Sequence, residues 1–359
     1  MENILVVPGP GNIPKDILEV YSKDVIHHRT DTFVKEYRKL NDNIQKVFKT
    51  ENTVVTLSTS GTGGMEASVV NLFSPGDKVL VINIGNFGDR YIEICNAYSL
   101  NTFSLDYKWG TTYNLKEVEA FILKNADLKG VLVTHNETST GVLNSIEPLA
   151  KLTKDTNILL IVDACTGLLV NEFEFDLWGV DCAISCSQKG FSLPTGLAFI
   201  ALSKKAEMAM DNSKCPKYFF NLKTYIKSYE EHGYTPFSPN TSVIRAASYS
   251  VEKILEKGLD NIRAESNELR AHVVSRIEKI GFKVFSDDTT RSNSVLVIDL
   301  CGKTSMKQMK KDFEKNHNIT LSLGKNEFAD TAWRIGILPP MDKKKIDHVM
   351  DLVEKYIAK

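Results

Sequence analysis

Ile158-Leu159-Leu160-Ile161-Val162-Asp163 and, one strand further on, Ser185-Cys186-Ser187-Gln188-Lys189-Gly190 are the stretches whose reading decides the fold of this chain. The first is five apolar residues ending on an acid. A strand with no polar alternate is what a sheet covered by helices on both faces requires. Together with residues 53–57, 78–83, 101–105, 130–134, 182–185 and 197–202, the run at 158–162 makes seven such segments. Between them, residues 64–73, 88–98, 115–125 and 146–154 carry apolar positions at helical spacing. The pattern predicts a doubly covered, mostly parallel seven-stranded α/β sheet.

At 359 residues the chain exceeds the roughly 250–300 that one core serves. We expect an N-terminal arm over 1–20, a large unit over 21–240 and a smaller α+β unit over 241–359. The last contains a long helical stretch over 242–280, β-like segments at 295–300 and 333–337, a helix near 307–316 and a final helix from Asp342. The opening Val7-Pro8-Gly9-Pro10-Gly11-Asn12-Ile13-Pro14 reads as an extended arm, since proline removes ladder donors, and nothing in it marks contact with chemistry.

With 44 basic against 45 acidic side chains and no long block of one sign, there is no electrostatic footprint for nucleic acid or an anionic membrane. No apolar run approaches the ~20 residues of a membrane span, and the first residues lack a basic leader. The expectation is a cytosolic protein. Six scattered cysteines without a C-x-x-C pair indicate neither a disulfide framework nor a zinc knuckle.

The chemistry lies at the ends of the predicted strands. Lys189 offers an amine that, to condense with an aldehyde, must be held unprotonated in a partly desolvated pocket. Asp163 offers a carboxylate that, aimed at a pyridinium nitrogen, keeps a pyridoxal ring electron-withdrawing. Thr59-Ser60-Gly61-Thr62-Gly63-Gly64 follows a strand and opens a helix, so its amides suit a phosphate, although a turn that merely needs glycine reads the same way. The dinucleotide fingerprint fails there, with Glu66 in place of the third glycine. Thr138, in His135–Gly141, stands at the carboxyl edge of the sheet, as a ligand contact or a polar turn. Phe87 offers a ring to a flat ligand or to the core. Arg334, inside an apolar strand, needs an anion, either a substrate carboxylate or an acid of the chain. His28 and Arg29 read as a helix entry or a basic contact to substrate. Gly302-Lys303-Thr304 lacks the leading glycine of a Walker A loop, and His135-Asn136-Glu137 lacks the cysteines of a zinc deaminase.

Taken together these residues resemble the class V, fold type I aminotransferases, in the branch of alanine–glyoxylate, serine–pyruvate, serine–glyoxylate and 2-aminoethylphosphonate–pyruvate aminotransferases. The likeness runs through Pro8-Gly9-Pro10, His28-Arg29-Thr30, the glycine turn, Glu66-Ala67, Pro75-Gly76-Asp77, His135–Gly141, Val162-Asp163-Ala164, Ser185–Lys189 and Arg334-Ile335-Gly336. It implies that Lys189 forms the Schiff base with pyridoxal 5'-phosphate and shuttles the proton, and that Asp163 pairs with the pyridine nitrogen. Thr138 would sit by the ring hydroxyl and Phe87 against the ring. Thr62, Gly63, Gly64 and Gln188 would hold the phosphate, and Arg334 the α-carboxylate. It implies a homodimer in which Thr241 of residues 236–242 reaches the neighbouring phosphate. The expected reaction carries an amino group from a small donor of the alanine or serine type to pyruvate or glyoxylate. The alternatives are 2-aminoethylphosphonate as donor, with His28 or Arg29 on the phosphonate, a lyase or desulfurase using Cys215, and a non-catalytic pyridoxal phosphate-binding protein.

Overall fold

The computed structural model describes residues 3–358. Seven strands form one sheet in the order Thr53–Leu57, Ala198–Leu202, Cys182–Cys186, Leu159–Asp163, Leu128–Thr134, Lys78–Asn83 and Asn101–Asp106. All run parallel except Ala198–Leu202, which is antiparallel to both neighbours. Side chains alternate across the pleat. Leu80, Ile82, Val131, Val133, Leu160 and Val162 face one helical layer, while Val79, Val81, Leu132, Leu159 and Ile161 face the other. Two apolar faces explain why these strands carry almost no polar residue.

The parallel strands end on one edge, and that edge collects Asp163, His135, Cys186 and, three residues on, Lys189. The helix Gly61–Leu72 starts there too, because its N-terminal turn must approach the sheet closely. A Cβ on Gly64 would lie 2.7 Å from Ile184 Cγ2 and 3.0 Å from Ala198 Cβ. Among the described residues no helix is long and apolar enough to cross a membrane.

A second, five-stranded sheet is ordered Ile4–Val6, Ile319–Leu323, Ala332–Gly336, Val295–Asp299 and Lys283–Val284, with its own core around Trp333, Phe313 and Ile346. Two expectations change here. The helical stretch over 242–280 is two helices, Thr241–Lys257 and Leu259–Ile280, broken at Gly258, whose φ of 84° ends the first of them. Helix Thr241–Lys257 inserts Val243, Ile244, Ala247 and Val251 into the core of the large sheet. The opening residues are also more than an arm. Ile4–Val6 is a parallel edge strand on Ile319–Leu323, and the chain beyond it turns toward Lys189.

That turn is wedged against strand Ala332–Gly336. A Cβ on Gly336 would fall 1.8 Å from the Val7 carbonyl oxygen, a backbone atom that cannot swing aside. Replacing Gly336 with Ala is expected to cost about 1–3 kcal/mol of stability through overpacking and to displace residues 7–9. Chemical denaturation measures the first effect, and an unchanged unfolding midpoint would show that the contact is unimportant.

Candidate active site

Lys189 is partly buried, and its Nζ donates to the Pro8 carbonyl at 2.8 Å and the Gly9 carbonyl at 3.3 Å. The leading prolines are therefore not a leader without contact to chemistry. Gly9 is required where it stands, because its φ is +102° and a Cβ would lie 2.9 Å from Lys189 Cδ. Burial lowers the basicity of the Lys189 amine. Cys186, Cys165 and Asp163 oppose that shift, and Arg334 adds to it. Removal from water penalises the ammonium, so an amine competent as a nucleophile or base is favoured here.

Asp163, the last residue of strand Leu159–Asp163, is buried on the neighbouring strand. Burial raises its pKa, against the Cys165 N–H donated to Oδ1 at 2.9 Å and the charges of Arg90 and Lys189. One backbone donor does not satisfy a carboxylate taken out of water, so the site favours a cationic partner beside it.

Glu137, which the sequence left without a role, is also fully buried. Its Oε2 accepts from Phe87 N–H at 3.0 Å, and its Oε1 accepts from Ser139 N–H at 3.0 Å and Ser139 Oγ at 2.6 Å. Ser139 Oγ in turn accepts from Asn86 N–H at 3.0 Å. The helix Asn86–Ala97 begins at Gly85, which has no side chain to cap it, so the cap comes from Glu137 and Ser139. Burial lifts the Glu137 carboxyl to about 7, against these hydrogen bonds. The signal in the sequence was an uncapped helix start at Gly85-Asn86.

Arg334 donates from Nε to the Leu323 carbonyl at 2.7 Å, from Nη2 to Ser322 Oγ at 3.0 Å and from Nη1 to the Thr138 carbonyl at 3.5 Å. It forms no ion pair among the described residues. Burial works against its charge and Glu137 supports it. Thr62 lies in the first turn of helix Gly61–Leu72, and its Oγ1 accepts from Arg90 Nη1 at 3.2 Å. Arg90 also lies over the Phe87 ring, 4.5 Å from its centroid, so a second unforeseen residue joins the glycine turn to Phe87. Gly63 N–H reaches Ser60 Oγ only at 3.4 Å, whereas Gly64 N–H is engaged by the Ser60 carbonyl at 3.0 Å. The amide oxygen of Gln188 is buried with no partner.

Lys189, Asp163, Thr138, Gln188, Thr62 and Phe87 thus gather at the carboxyl edge of the large sheet, and Arg334 reaches that edge from the second sheet through the Thr138 carbonyl. His28 and Arg29 do not join them. His28 stacks on His27 at 4.7 Å, and Arg29 lies 4.8 Å from the Tyr234 ring. Thr241 opens its helix beside Asn240, whose N–H donates to Ser58 Oγ at 2.9 Å.

Known proteins resemble this chain along nearly its whole length. The family described as Aminotransferase class-V matches residues 16–348. The small subunit of the soluble hydrogenase of Synechococcus sp. is 32% identical over 358 residues, 99% of this chain and 93% of the relative. The L-aspartate–glyoxylate aminotransferase of Paracoccus denitrificans is 31% identical over 94% of this chain and 86% of its own length. The crystal structure of an alanine–glyoxylate aminotransferase from Nostoc sp. superposes with a TM-score of 0.96 at 24% identity, covering 100% of this chain and 96% of that one, which shows a shared fold. The chain belongs to the class V aminotransferases and is a pyridoxal phosphate-dependent transaminase.

Proposed function

We propose that this transaminase takes the amino group of a small amino acid of the alanine or serine type and gives it to a small 2-oxo acid or aldehyde, glyoxylate or pyruvate. The observation that carries the reading is a partly buried Lys189, its basicity lowered by burial, facing a guanidinium without an ion pair among the described residues, Arg334, which approaches the same edge from the second sheet. Glyoxylate in the names of the Paracoccus and Nostoc relatives supports the acceptor.

The residues suit pyridoxal phosphate. Asp163, buried with a single backbone donor, would face the ring nitrogen, and Thr138 the ring hydroxyl. Phe87 would lie against the ring. Thr62, Gly63 and, through its amide N–H, Gln188 would hold the phosphate at a helix N-terminus, with Gly64 letting that turn seat on the sheet. The bound cofactor supplies an electron sink for the charge left when the substrate α-proton departs. Lys189 Nζ would take that proton and give it back, since burial lowers its basicity and two carbonyls fix it in place. Arg334 sets the α-carboxylate, in a planar bidentate geometry a lysine would not give.

Two further parts of the reading concern assembly and place. Tyr218 is 83% exposed and Phe219 39%, and both rings lie 5.6 Å from Phe237. This aromatic face beside residues 236–242 supports a homodimer in which Thr241 serves the second copy's phosphate. Six free cysteines among the described residues fit a reducing compartment and support a cytosolic enzyme. A desulfurase needs an accessible thiol, and Cys215 is only 4% exposed with burial raising its pKa.

Lys189→Ala is expected to lower turnover by about 10²–10⁴-fold or more and to abolish the cofactor adduct trapped by borohydride. An adduct of unchanged mass on the variant would end the proposal. Arg334→Gln should raise KM for the amino donor about 10- to 100-fold with a smaller change in kcat. An unaltered KM would place the carboxylate elsewhere. Glu137 has a folded pKa of about 7 against an ordinary 4.5, so its contribution to stability is complete below about 4.5 and is lost as pH rises toward 7. Wild type should therefore lose on the order of 3 kcal/mol relative to Glu137→Gln across that interval, measured by denaturation at stepped pH. Parallel curves would refute the assignment.

A further inference from the structure

In the turn Gly61-Thr62-Gly63-Gly64 only one residue has a side chain to orient. The glycines seat the turn on its surroundings. A Cβ on Gly61 would lie 2.9 Å from Cys165 Sγ, one on Gly63 2.0 Å from Thr59 Oγ1, and one on Gly64 2.7 Å from Ile184 Cγ2. Thr62 projects outward, exposed, from the first turn of helix Gly61–Leu72. Packing therefore does little to select its rotamer, and a threonine on a helix divides between two.

The selection comes from Arg90. Its Nη1 donates to Thr62 Oγ1 at 3.2 Å, and among the described residues the Thr62 hydroxyl makes no other hydrogen bond. A hydroxyl has one proton to give and two lone pairs to accept with. Having accepted from a guanidinium, Thr62 keeps its proton free. A phosphate dianion, which can only accept, is met by such a donor.

Arg90 is itself held. It stands three residues after Phe87 on helix Asn86–Ala97, on the same face, with its guanidinium 4.5 Å from the ring centroid. The start of that helix cannot drift, because Phe87 N–H is bound by Glu137 and a Cβ on Gly88 would fall 2.3 Å from Asn83 Oδ1. The adjacent acid is engaged elsewhere, with Asp89 Oδ1 accepting from Asn83 Nδ2 at 2.8 Å. Asp163 feels the Arg90 charge, yet Arg90 forms no ion pair among the described residues. No carboxylate draws its Nη1 away from Thr62.

We propose that Arg90 is a positioning residue for the cofactor phosphate, which by donating to Thr62 Oγ1 fixes that hydroxyl in one rotamer and leaves it a donor. Phe87 is the platform that keeps the guanidinium in reach. This rests on the reading in which Thr62 holds the phosphate, and adds to it a residue that acts through Thr62.

The test compares pyridoxal 5'-phosphate with pyridoxal, which lacks the phosphate. Holoenzyme dialysed against graded concentrations of either compound reports the affinity for each through its visible absorbance. Thr62→Val and Arg90→Met should each weaken pyridoxal 5'-phosphate about tenfold and change pyridoxal by less than about twofold. In the double variant, Arg90→Met should add less than about twofold to the loss from Thr62→Val, since the two changes remove one interaction. Arg90→Lys keeps the charge without a planar fork that can lie on a ring and donate from its edge, and should recover little. Losses that multiply in full, complete recovery with lysine, or equal weakening of pyridoxal would each overturn the proposal. So would an Arg90→Met protein of undiminished affinity beside a weakened Thr62→Val, an outcome that leaves the phosphate reading intact. Unchanged affinity in Thr62→Val, or a wild type that binds both compounds equally, would instead refute the phosphate reading, and the role of Arg90 with it.

Discussion

The structure depends on an amine withheld from water. Lys189 keeps its Nζ between two backbone carbonyls, Pro8 and Gly9, contributed from some 180 residues earlier in the chain. Carbonyls orient an amine without the formal charge that would hold a proton on it, as a carboxylate partner would. The partner with a full charge, Asp163, stands on the adjacent strand. Each of the surrounding close fits, Gly9 on Lys189 and Gly336 on Val7, keeps this one group in place.

Two buried carboxylates divide the remaining labour. Asp163 has one backbone donor and remains open to a cation, whereas Glu137 is filled by two N–H groups and a hydroxyl. The first is suited to meet a ligand. The second fixes the start of helix Asn86–Ala97, since the N–H of Phe87 is one of its donors. Similar residues in similar burial acquire different uses from the count of hydrogen bonds they already have.

Much of the framework could be read along the chain. Strands such as Leu159–Asp163 and Lys78–Asn83 are legible because burial on both faces leaves only apolar residues. The reversed direction of Ala198–Leu202 was not, since five apolar residues carry no arrow. The break at Gly258 was hidden because apolar spacing continues on both sides of it. In the candidate site, Lys189, Asp163 and Thr62 announce themselves as charged or polar residues at strand and helix ends, and Arg334 as a charge inside an apolar strand. Glu137 as a cap for a helix that starts 50 residues earlier, and Arg90 as a bridge to Thr62, depend on tertiary approach that local patterning does not encode. His28 and Arg29 look like ligand contacts in the sequence, yet within one chain their neighbours are His27 and Tyr234.

The parallel pairing of Ile4–Val6 with Ile319–Leu323 has a bearing on assembly. Strand Ile4–Val6 finds its partner more than three hundred positions further along, so the loop that this pairing closes is among the longest a chain of this size can close. The two carbonyls that hold the Lys189 amine follow directly on that strand, so their position depends on a contact of the longest range in the molecule.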